Sequence, residues 1–141
     1  IDTIRQLKDD VASNVQRIVF LHHHLLPVYD IEAVDRKPSL SIDSLKILKN
    51  ALAKNIKVAI HGHQHMFSMA KYNLFERGRE WQERNITVVA NGSTSVNANR
   101  MISSERNSYS ILTIHSDRIE VLVRELMHNE SPGVTLLTHT V

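Results

Sequence analysis

Two histidine clusters hold the side chains of this 141-residue chain that could do chemistry: His22, His23 and His24, and His61, His63 and His65. Together they account for six of its nine histidines. In the stretch Lys-Val-Ala-Ile-His-Gly-His-Gln-His-Met over 57–66, the histidines are spaced two apart with Gly62 among them. Side chains alternate along an extended segment, so His63 and His65 are expected on one side, with Gly62 letting the backbone turn in close. Two neutral imidazoles aimed at one spot suit a borderline transition metal such as zinc, manganese or iron. The chain has no cysteine. That excludes disulfides, thiolate nucleophiles and Cys-ligated clusters, so a metal must be held by histidine, carboxylate or amide.

Each cluster ends a short apolar run. Val58, Ala59 and Ile60 precede one, and Ile18, Val19, Phe20 and Leu21 precede the other, with Pro27 closing the segment that follows. Runs this short and rich in β-branched residues read as buried strands, and the carboxyl ends of such strands are where open α/β sheets place their ligands. Between them, Ile42, Leu45, Leu48 and Leu52, widened by Ile47 and Ala51, repeat at helical spacing. Ser41 or Ser39 is the expected cap, Asp43 favours the first turn, and Asn55 is the stop. A strand, a crossover helix and a second strand imply parallel neighbours about 4.8 Å apart. Their carboxyl ends then lie side by side, which brings His22, His63 and His65 into one site.

The remaining elements are sketched more loosely. Ile4, Leu7 and Val11 predict an amphipathic helix over 3–14, and residues 28–40 an irregular surface loop. Residues 67–75 are a strand or an irregular return, 77–84 an exposed loop or short helix with Trp81 as a packing residue, and 86–90 a strand ending in Asn-Gly-Ser-Thr-Ser. Residues 97–107 read as a polar loop carrying Arg100 and Arg106. Tyr109–Ile114 and Arg118–Leu126 form a hairpin through His115, Ser116 and Asp117, and the tail from His128 is peripheral. One domain of α/β class follows, with mixed β-sheets flanked by helices.

Seventeen basic residues are interspersed with 15 acidic ones for a net charge of +2, so no nucleic-acid or membrane patch is indicated. No apolar run reaches membrane-spanning length, and a cytoplasmic location is the expectation.

A strand ending in His-His and followed by Pro, a helix, a strand ending in Gly62-His63-Gln64-His65 and a strand ending in a small polar turn resemble the calcineurin-like metallophosphoesterase family. The resemblance runs from residue 1 to about residue 126. It implies a sandwich of two mixed sheets flanked by helices and a dinuclear centre of manganese, iron or zinc that hydrolyses a phosphoester. It further implies that His22 and His63 share one ion and His65 binds the other, with His23 as the alternative to His22. The family's Asp-x-His, Gly-Asp-x-x-Asp and Gly-Asn-His motifs have no match, and residues 1–21 hold neither histidine nor glycine. The resemblance therefore implies that residues 1–141 are the carboxyl-terminal part of one such domain. Its bridging carboxylate and its leaving-group acid would come from a missing amino-terminal half, leaving no catalytic group here beyond the metal ligands.

Against this stand plainer roles. His61 and His24 are read as supporting or structural residues, and His115, His128 and His139 as unrelated to the site. Asn91 and Gly92 could lend N–H groups to a phosphate, although turns of this composition usually just end strands. The competing function is a non-catalytic metal-binding or interaction module built on a structural three-histidine site.

Overall fold

The computed structural model describes residues 2–9, 12, 14–27, 40–63, 65–78, 80–95, 106–127 and 133–141. Its elements are α1 (Asp2–Arg5), β1 (Ile18–Leu21), α2 (Ser44–Ala53), β2 (Val58–His61), β3 (Ser68–Arg77), β4 (Trp81–Ala90), β5 (Ser108–Ile114), β6 (Ile119–Glu125) and β7 (Val134–Thr140). They form an α+β fold of two sheets and few helices. The first sheet is mixed, in the order β1-β2-β4-β3, and the second has the order β5-β6-β7. Both pairings of the second sheet are antiparallel, which departs from the expectation of two mixed sheets.

The parallel neighbours deduced from the crossover are present. Ile18 to Leu21 pair in register with Val58 to His61, and β2 pairs parallel with β4 on its other side. β2 is buried along its whole length because apolar layers cover both of its faces. On one face Ala59, Ile86 and Val88 meet Ile47, Leu48, Ala51 and Leu52 of α2. On the other, Val58, Ile60 and Val89 meet Ile119, Val121 and Val123 of β6. Helix, mixed sheet and antiparallel sheet thus stack as three layers, and β2 is the wall between two cores.

Helix α2 starts later than its apolar spacing suggests. Asp43, not Ser41 or Ser39, occupies the cap position and makes no side-chain cap bond, while Ser41 accepts the Ser44 N–H in the preceding turn. Ile42 is fully exposed and Leu45 half so, which leaves them outside the stripe that reaches the core. The stop is as expected and has a physical cause. Asn55 takes a left-handed φ of 53°, the Asn55 N–H bonds the Leu52 carbonyl, and the Ile56 N–H reaches the Ala51 carbonyl. This is the paired closure of a helix end that asparagine tolerates better than most residues.

Four sequence expectations need correcting. The amino-terminal helix covers four residues instead of twelve. Beyond it, Arg17 donates to the carbonyls of Lys8, nine residues back, and Lys54, and Lys54 Nζ pairs with Asp9 at 2.7 Å. Residues 77–84 belong to a hairpin in which β3 and β4 pair continuously from Ser68↔Ala90 to Arg77↔Trp81. Trp81 is 70% exposed there and packs no core. The tail is no appendage either, since β7 pairs with β6 and Val141 exchanges two backbone bonds with Ile119. The β5–β6 hairpin forms as read, closed by the His115 N–H on the Arg118 carbonyl. The loop expectations for 28–39 and 96–105, with Arg100, and the reading of His128 lie outside the described residues. No helix among the described residues is long and apolar enough to cross a membrane.

Candidate metal centre

The last register pair of β1 and β2 is Leu21↔His61, and both chains then leave the sheet together. His22 and His23 follow one strand and His63 the other, all three exposed. His63 Nδ1 lies 2.9 Å from His22 Nε2, and one ligand nitrogen from each of His22, His23 and His63 falls within 4.8 Å of the others. Two nitrogens bound at about 2.0–2.1 Å to one tetrahedral ion sit roughly 3.3 Å apart. The His22–His63 nitrogens, in hydrogen-bond contact, are therefore already near ligand separation, and a His23 nitrogen lies within 4.8 Å of them. No carboxylate joins this group among the described residues.

His65 does not belong to that trio, and the backbone explains why. His63 and His65 both have positive φ, 84° and 62°, so the segment turns where alternation assumed an extended chain. Such values are uncommon for residues other than glycine, and histidine is among those that accept them. Gly62 has no positive φ, and a Cβ placed on it would meet nothing within 4 Å. The turn is made by the histidines themselves, and the expected role for Gly62 is not needed.

Beneath the exposed trio lies a buried pair. His24 and His61 are 1% and 2% exposed, with ring centroids 4.5 Å apart, and the His24 ring lies 6.3 Å from that of His63. The His24 carbonyl accepts the Ser41 N–H at 2.8 Å, and His24 bridges Leu40, which ties the histidine segment to the lead-in of α2. His61 is fixed by its place at the end of β2 between two partner strands. The His24 ring thus stands next to both buried His61 and exposed His63.

Burial pushes the His61 imidazole below its ordinary value of 6.5, partly offset by the backbone of Gly62. His63 is also lowered, first by partial desolvation and then by repulsion from His22, His23 and His65. Rings held neutral are rings with a lone pair to give a metal. The same shifts fix the sign of a pH effect. The unfolded chain takes up protons below pH 6.5 that folded His61 and His63 resist, so the metal-free protein keeps its full stability above that pH and loses it as acid moves through the lowered values. The slope for His61 is at most about 1.4 kcal/mol per pH unit, with less from solvent-screened His63. Urea midpoints compared at about pH 7 and about pH 5 measure it; equal midpoints would refute it.

No protein-family model and no curated protein sequence matches the chain. What the site can do must therefore be read from its own chemistry.

The turn after β4 flanks the cluster but is committed elsewhere. The Asn91 N–H donates to the His61 carbonyl at 2.7 Å, and the Asn91 side-chain oxygen accepts from Ser110 at 2.6 Å. Gly92 lies so close to β5 that an added Cβ would sit 1.9 Å from Ser108 Oγ and 3.1 Å from the Ser108 carbonyl. Packing against β5, which the sequence did not reveal, accounts for the glycine. Gly92→Ala is expected to cost about 1–3 kcal/mol, read as a lower thermal midpoint with the histidine cluster intact.

Sequence reasoning located five histidines at or under the site but ranked His65 above His23. Only the left-handed turn separates them, and a pattern of alternating positions carries no sign of it.

Proposed function

We propose that residues 1–141 are the carboxyl-terminal part of a calcineurin-like metallophosphoesterase domain that hydrolyses a phosphoester, the chain supplying histidine ligands to a dinuclear centre. The observation that supports this best is the convergence of His22 and His63, 2.9 Å apart, beyond the carboxyl ends of two parallel neighbouring strands. The donor set fits, because neutral imidazoles suit manganese, iron and zinc alike. His22 and His63 would hold one ion, with His23 alongside them, and His65 across the turn would face the second. When bound, such ions acidify a water and clamp the phosphoryl oxygens. This chain's residues do the holding: β1 and β2 set the spacing, the buried His24 ring stands next to His63, and the lowered proton affinity of His63 keeps its nitrogen available. Carboxylate ligands and the leaving-group acid come from the amino-terminal part of the domain, and a cytoplasmic setting belongs to the same proposal.

A second reading is favoured by one observation, that the described trio is made of histidine alone. Three imidazoles and a water can complete one tetrahedral zinc site, which would then be structural. Metal stoichiometry and turnover of the complete domain on an aryl phosphodiester and monoester separate the two. Two equivalents with turnover support the hydrolase. One equivalent, no turnover and a metal-dependent melting temperature support the structural site.

A further inference from the structure

Among the described residues, the longest unpartnered edge belongs to β3. It ends the order β1-β2-β4-β3, and among the described residues no strand lies along its outer side. Its ten residues pair with β4 in unbroken register, with neither glycine nor proline. The other edges are shorter: β1 has four residues, β5 has seven, and β7 has seven with a register shift opposite Val123 and Arg124. Proteins normally blunt an edge like that of β3, because its free N–H and C=O groups are a template for another strand.

The Thr87 N–H points to β2, bonding the Lys57 carbonyl at 2.9 Å. Thr87 and its partner Lys71 are therefore a non-hydrogen-bonded pair, and the main-chain groups of Lys71 point away from β4. By alternation the same holds for Met69, Asn73, Phe75 and Arg77. Their side chains share the face on which Met69 packs toward the second sheet, whereas Tyr72 and Leu74 pack on the helix side. Lys71, Asn73, Phe75 and Arg77 are all exposed.

We infer that this chain forms a two-fold dimer in which the β3 edges of two copies pair antiparallel, joining two four-stranded sheets into one continuous sheet. Symmetry and face matching leave few registers. With Asn73 opposite Asn73 of the second copy, Lys71 faces Phe75 and Met69 faces Arg77, so nearly the whole strand is used. Opposed residues then lie on the same face, as a continuous sheet demands. Each Lys71 ammonium crosses the exposed Phe75 ring toward Glu83, the β4 neighbour of that Phe75. Sliding by one pair in one direction opposes Lys71 with Arg77, two like charges, and sliding in the other carries Arg77 past the end of β3, opposite Phe67. The charges that would guard the edge against a stranger are thus complementary to a second copy. Phe75 and Trp81, 60% and 70% exposed on this face, flank the seam. The histidine sites of the two copies then sit at opposite ends of it, so the dimer does not depend on the metal chemistry proposed above.

The test is sedimentation equilibrium and light scattering of the full chain over a concentration series. The wild type is expected to approach twice the 16.1 kDa chain mass. Asn73→Pro removes an outward N–H that β4 does not use, which an edge strand tolerates, and is expected to halve the mass with little change in circular dichroism. Lys71→Glu tests the same seam where the proline variant fails to fold: it should weaken association at least tenfold, and adding Glu83→Lys should restore it. A wild type that stays monomeric throughout overturns the proposal. So does a dimer that survives Lys71→Glu unweakened.

Discussion

Replacing His63 by alanine is expected to lower the affinity of this chain for zinc or manganese by two orders of magnitude or more. Loss of a residue that merely orients a ligand already costs about 10–100-fold, and His63 is one of the three rings of the trio itself. It is the ring within 2.9 Å of His22 and the partner of His23 at a centroid distance of 5.0 Å. Because its backbone is left-handed at φ 84°, alanine also adds some strain, so His63→Asn is the sharper variant. Asparagine tolerates that conformation and lacks the imidazole. His63 is exposed, and the metal-free fold of either variant should be nearly as stable as the wild type. Titration calorimetry with zinc and manganese measures the loss. Affinity unchanged in both variants would remove the metal centre, and full turnover of the complete domain carrying either substitution would remove the proposed hydrolase. The companion His65→Ala gauges how far the turn separates that ring from the trio, with a smaller loss than for His63 expected in residues 1–141 alone.

The largest expected effect on stability comes from Ile86. It is 0% exposed at the middle of the mixed sheet and packs in the same cluster as Leu48 and Leu52 of α2 and Ala59 of β2. Ile86→Ala removes buried methyl groups and leaves a cavity that a sheet held on both sides cannot close, a cost of about 2–5 kcal/mol. That is a large share of the roughly 5–15 kcal/mol that holds a typical domain together. Urea denaturation should show a lower midpoint at unchanged slope. Ile42→Ala is the contrast. The sequence places Ile42 in the apolar stripe of α2, yet it is 103% exposed, so the same kind of truncation should change stability by less than about 0.5 kcal/mol.

How much of this was readable beforehand depends on the distance over which the deciding interaction acts. The strands at 18–21 and 58–61 and their parallel pairing follow from apolar runs joined by a helix of suitable length, and with them comes the meeting of His22 and His63. The hairpin around His115 is equally local. Beyond helix α1 the Lys8 carbonyl is engaged by Arg17 and Asp9 by Lys54, contacts that the periodicity within residues 3–14 does not carry. Residues 77–84 look like a charged loop because this end of the β3–β4 hairpin is exposed, where charge is no obstacle to pairing. The separation of His65 from the trio rests on two backbone angles that residue type hardly reports. Gly92 reads as a turn glycine, whereas its reason is the approach of Ser108 on another strand.

The strand that divides the two cores has a kinetic consequence. Val58 and Ile60 anchor one cluster and Ala59 the other, so β2 cannot detach without opening both at once. Amide protons along Val58–His61 should therefore exchange with deuterium only through global opening, while those at His63 and His65 exchange through small local fluctuations. Such a gradient, falling from fully protected to quickly labelled within a few residues, would mean that the imidazoles can adjust to an incoming ion while the strand that carries them stays still.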